Sequence, residues 1–138
     1  MAFDPADEAN QLANLFYSLS QATDDLRLGG TLVAPSIDDL ASLKDQADRL
    51  DNCGHSFTAQ AIGATLANIQ DDLSDIKNVT ADAKTQLGTL TDVSKAIAAA
   101  TAGVALGVAI TSGNPATILA ATGAFATAVA GSGAGAGG

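Results

Sequence analysis

Every formally charged side chain in this 138-residue sequence lies between Asp4 and Lys95; residues 96–138 contain no Asp, Glu, Lys, Arg or His. A chain divided in this way has two zones that demand different surroundings. The first has the make-up of a water-facing helical protein. The second is almost wholly Ala, Gly, Thr, Val, Ile and Leu, and 43 consecutive uncharged residues are more than one domain of this size easily covers. Three placements remain for the second zone: inside a bilayer, between copies of the chain, or in the core of a monomer. The first two are the stronger expectations.

The charges that are present are mostly acidic. Fifteen carboxylates against six basic groups give a net charge of −9. Nucleic acid is excluded as a partner, because neutralising phosphates requires clustered Lys and Arg. An anionic membrane surface finds no basic patch either. The single cysteine, Cys53, rules out an internal disulfide framework and a multi-cysteine zinc site. At the start, Asp4, Asp7 and Glu8 stand where a secretory signal carries positive charge, so export would need a route other than a Sec-type signal.

Local signals in the acidic zone are helical. Asp4 before Pro5 reads as an N-cap followed by proline in the first turn, with Asp7 and Glu8 on the favourable side of the helix dipole. Leu12, Leu15, Phe16, Leu19 and Leu26 then recur at helical spacing until Gly29-Gly30, which predicts a first helix over about 5–28. After an extended link at 31–35, Ser36 and Asp39 have capping-box spacing. Ile37, Leu40, Leu43, Ala47 and Leu50 mark a second helix over about 37–53, with Gly54 as its C-terminal glycine.

The third run carries heptads. Ile62, Ile69, Ile76, Ala83, Leu90 and Ile97 repeat every seventh residue, and Leu66, Leu73, Thr80, Leu87 and Ser94 fill the partner positions. This pattern predicts one long helix over 57–95, about 58 Å at 1.5 Å per residue, with two shorter helices packed end to end along it. The fold class is thus all-α: an elongated helical bundle of residues 1–95, then an uncharged helical hairpin over 96–130 and a Gly-rich tail at 131–138. Ile62, Leu66, Ile69, Leu73, Ile76, Leu87, Leu90 and Ile97 are the candidate oligomer seam. Thr80 and Ser94 weaken that seam, which favours self-association over a lone monomer.

In the hairpin, Ser112-Gly113-Asn114-Pro115 supplies a connection: Gly113 ends one helix, Asn114 caps the next and Pro115 opens it. Small residues recur four apart, at Ala99, Gly103 and Gly107 on the first arm and Ala120, Ala124 and Ala128 on the second. Gly103 and Gly107 have the GxxxG spacing by which helices approach closely in lipid. The expectation is that these small faces pack together. Ile97, Val104, Leu106, Val108, Ile110, Ile118, Leu119, Phe125 and Val129 would then point outward, to lipid or to neighbouring subunits. The arms are shorter than the ~20 apolar residues of a full span.

Chemistry-bearing patterns are weak. His55, the only histidine, lies two residues from Cys53 in an apparent turn without an orienting third group. Asp24-Asp25, Asp38-Asp39 and Asp71-Asp72 with Asp75 do not match a calcium loop and read as solvated helix faces. No cofactor, small-molecule substrate or catalytic set is expected.

The heptads of 62–94 and the run 96–130 with its turn at 112–115 give the chain an architecture that resembles the α-helical pore-forming toxins of the haemolysin-BL and cytolysin A type. Those toxins are longer and carry their hydrophobic element between long helices. The resemblance implies a soluble form that hides the hairpin and an oligomer that inserts it into a bilayer. The alternative is a structural subunit of a filament, coat or similar array, with the hairpin buried between copies.

Overall fold

A computed structural model describes residues 4–29, 32, 33 and 35–133, the last four as backbone only. Six helices follow in order: α1 (Pro5–Leu28), α2 (Ile37–Ser56), α3 (Ala59–Asn68), α4 (Leu73–Leu87), α5 (Val93–Ser112) and α6 (Pro115–Gly133). Their starts are set by local chemistry. The Asp4 carboxylate accepts from the N–H groups of Ala6 and Asp7, and Ser36 with Asp39 forms a reciprocal capping box. Thr58 caps α3 and Asp92 caps α5. Each satisfies donors that a helix start leaves orphaned, typically stabilising by about 1 kcal/mol.

Five of the helices form a closed ring in the spatial order α1, α2, α5, α6, α4, and α3 lies across one end against α1 and α5. Contacts fix the directions. Ser20 on α1 donates to the Ala47 carbonyl on α2 at 2.7 Å, and Gly54 of α2 lies against Tyr17 of α1, so this pair is antiparallel. Leu50 and Cys53 of α2 meet Gly103 and Gly107 of α5, so that pair is parallel. On α1 and α4, Lys77 Nζ donates to Glu8 Oε2 at 2.8 Å and to Gln11 Oε1 at 3.0 Å. At the end away from α3, the Val33 N–H donates to the Thr91 carbonyl at 2.8 Å, which ties the α1–α2 link to the α4–α5 link.

One core fills the ring. Leu12, Phe16, Leu43, Leu50, Ile62, Leu66, Ile76, Leu87, Leu106 and Phe125 are all fully buried in it. Acidic zone and hairpin contribute to the same core, and the charge boundary at residue 95 falls inside α5. Thr23, Thr80 and Thr122 are buried without penalty, because each hydroxyl donates to the carbonyl four residues earlier.

The long helix expected over 57–95 is divided. The chain leaves helical geometry at 69–72, where Asp72 and Leu73 donate only three residues back, and again after Leu87. The seam stays in phase across both breaks: Ile69, Leu73, Leu87 and Leu90 remain buried. Asp71-Asp72 at the first break and Gly88 with Asp92 at the second favour termination and capping over continuation. The longest helix is α1, whose 24 residues span about 36 Å. Two ends also move. Gly54 does not terminate α2, which runs on to Ser56, and α6 reaches Gly133, inside the segment read as a tail. Residues 134–138 of that tail lie outside the described residues.

Candidate interaction surface

The turn between α5 and α6 shapes the hairpin. Gly113 takes φ 81°, the left-handed region, and its N–H donates to the Ala109 and Ile110 carbonyls. The Asn114 side chain accepts from the Ala116 and Thr117 N–H groups at 3.0 and 3.3 Å, and Pro115 opens α6. The two arms therefore return side by side, and Gly103 of α5 meets the ring of Phe125 on α6.

Which faces they bury differs from the sequence expectation. Leu106, Ile110, Ile118, Phe125 and Val129 turn inward, while Ile97 and Val104 are half-buried against the core. Only Val108 and Leu119 of the large residues named there are exposed. The small residues do not pair across the hairpin. Ala99, Gly103 and Gly107 are buried, but Ala120 and Ala124 face outward and Ala128 is half-buried. In water, the large side chains gain most from leaving solvent, so they take the inner face. On α6 the small ones are left outside, whereas on α5 Ala99, Gly103 and Gly107 share the inner face.

Gly103 and Gly107 are used within the monomer. A Cβ on Gly107 would sit 2.5 Å from Cys53 Sγ and 3.0 Å from the Phe16 ring. One on Gly103 would sit 3.2 Å from Phe125 and 3.3 Å from Leu50. These glycines set how closely α5 approaches α2 and α1. The heptad residues Ile62, Leu66, Ile69, Leu73, Ile76, Leu87 and Leu90 likewise face this chain's own core, where they are at most 4% exposed.

What the hairpin offers to solvent is a surface without charge, made of Ala98, Thr101, Ala105, Val108 and Thr111 on α5 and Ala116, Leu119, Ala120, Gly123, Ala124 and Thr127 on α6. A Cβ added at Gly123 would meet nothing within 4 Å.

A second apolar area lies at the end of the ring away from α3, where Leu28 and Val33 are 71% exposed and Ile37 is 86% exposed. Sequence reading placed Ile37 on the buried stripe of its helix. With Ser20 opposite Ala47, the antiparallel register sets Ile37 beyond Leu28, the last residue of α1, so α1 does not cover it. Only a register between the two helices reveals this, and no single-helix periodicity carries it.

Cys53 and His55 do not converge. Cys53 is buried against Gly107, and burial pushes its thiol pKa up, away from the thiolate. His55 is exposed, its Nδ1 2.9 Å from the Asp51 carbonyl and its ring edge-on to Tyr17. Among the described residues no three His, Cys, Asp or Glu side chains gather in a way that could hold a metal ion.

No protein-family model, curated protein or solved structure matches this chain.

Proposed function

We propose that this chain is a non-enzymatic, self-associating helical protein, a subunit of a homopolymeric assembly such as a filament or coat, that meets its neighbours through the outer face of the α5–α6 hairpin. The observation that carries this reading is the uncharged exposed surface of the hairpin on a chain of net charge −9. Copies of an acidic protein repel one another over most of their surface. The hairpin is where that repulsion is least and where small side chains permit close backbone approach. The partner is the chain itself; nucleic acid and small-molecule substrates have no part in this reading.

A second reading, entry of the hairpin into a bilayer as in the toxins it resembles, is favoured by one feature. Helix α5 is long and apolar enough to cross a membrane by length and composition, and Pro115–Val129 is a shorter apolar helix beside it. Insertion would require the inner face to leave the core. Uncovering Leu106, Ile110, Ile118, Phe125 and Val129 at about 2 kcal/mol each costs on the order of 10 kcal/mol, comparable to the whole stability of a small domain. Association through the outer face needs no such opening, so it is preferred.

Sedimentation velocity in plain buffer, paired with flotation on neutral phosphatidylcholine vesicles, separates the readings. Concentration-dependent oligomers that ignore vesicles are expected. A monomer that floats with vesicles would replace the first reading by the second, and a monomer that does neither would remove both.

A further inference from the structure

Among the described residues, five large apolar side chains are conspicuously exposed, and they fall into two groups. Leu28, Val33 and Ile37 stand at the α1–α2 corner, the end of the ring away from α3. Val108 and Leu119 belong to the hairpin, each five residues from its turn at Gly113–Asn114 and so near the α3 end. Helix α5 starts at the corner end, and Val108 lies 15 residues along it, about 22 Å away. One contact of ordinary size between two copies therefore does not join like to like at both groups.

We infer that the corner of one copy docks on the turn-proximal half of the hairpin of the next, so that the chain polymerises head to tail. This rests on the self-association proposed above and specifies its geometry. The occupant of each patch is a second copy because of how charge is placed. Asp25, Asp38 and Asp92 are exposed at the corner end and Asp39 is partly so, while Arg27 there is held by Asp24. Two corners face to face would set these carboxylates against their own counterparts at low local dielectric. The hairpin carries no charge beyond Lys95, so it receives the acidic rim without like-charge repulsion. A corner-to-hairpin contact is heterologous: each copy keeps one donor and one acceptor patch free, and growth continues into a ring or an open polymer.

The test uses Ile37→Asp, which spoils the corner, and Leu119→Asp, which spoils the hairpin, with Val33→Asp and Val108→Asp as second variants should either of the first lose helical circular dichroism. Sedimentation velocity of the wild type is expected to give a series of species growing with concentration. Each variant alone is expected to sediment as a monomer, and an equimolar mixture to stop at a heterodimer, since one intact corner and one intact hairpin remain. A wild type limited to a closed dimer, or a Leu119→Asp protein that associates like the wild type, overturns the head-to-tail geometry and leaves self-association standing. A wild type that is monomeric at every concentration overturns both.

Discussion

Helices α1 and α2 and the hairpin both present one face to a common core, yet they sort their residues by different rules. In α1 and α2 the inner positions are mostly Leu, Phe and Ala, with Ser20 and Thr23 bonded to backbone carbonyls, and the outer ones carry Asp, Gln, Lys and Arg, so polarity decides which face is wet. After Lys95 nothing is charged, and on α6 volume decides: Ile118, Phe125 and Val129 lie inside while Ala120, Gly123 and Ala124 lie outside; α5 turns Leu106 and Ile110 inward together with Ala99, Gly103 and Gly107. A helix sorted by polarity is committed to water on its outer side. One sorted by volume accepts water, a neighbouring helix or lipid there, which is the property an assembly surface needs.

Stability measurements can break this contrast, beginning with the inner face. Phe125→Ala is expected to cost about 3–5 kcal/mol by urea denaturation, since a fully buried ring leaves a cavity. Its neighbour Ala124, which faces outward, is expected to tolerate Ser within about 0.5 kcal/mol. Equal losses at the two positions would mean that volume does not separate the faces. Gly107→Leu is expected to cost about 3 kcal/mol, at the upper end of over-packing penalties, because Cys53 and Phe16 occupy the space its side chain would take.

Smaller effects sharpen the picture. Lys77→Ala is expected to cost roughly 1 kcal/mol by removing the ion pair and hydrogen bond that fasten α4 to α1. Gly123→Ala, at an open helical site, is expected to stabilise the monomer by up to about 1 kcal/mol; a loss of stability in its place would mean that the outer face of α6 is already covered. The thiol gives a pH signature of modest size. Its pKa is higher folded than unfolded, so the folded chain holds the proton longer. Its contribution to stability is full below the unfolded value of about 8.5 and is lost as pH rises through the folded value. Alkylation of Cys53 by iodoacetamide at pH 8 is accordingly expected to be much slower in the native protein than in urea.

Much of the fold was legible in short-range signals. Asp4-Pro5, the Ser36/Asp39 box and Gly113-Asn114-Pro115 are backbone chemistry written into neighbouring residues, and the structure uses each as a helix start or turn. The breaks at 69–72 and 88–92 were hidden because the apolar seam keeps its phase through them, leaving only Asp71-Asp72, Gly88 and Asp92 as signs. The orientation of the hairpin was harder to read still. A stripe of small residues invites close packing in lipid, but here the α5 stripe is buried against this chain's own helices and the α6 stripe is left outside once the larger side chains have gone in. The exposure of Ile37 depends on where α1 stops relative to α2, a long-range fact that neither helix states alone.

In chain order the five ring helices alternate in direction, with α3 lying crosswise, which places Asp4 and Gly133 at opposite poles of the molecule. Stacked pole to pole, one subunit would bring the end of its α6 beside the start of α1 in the next. A gene encoding two copies in tandem, joined by a short linker, would then yield a covalent double-length rod without rerouting any helix.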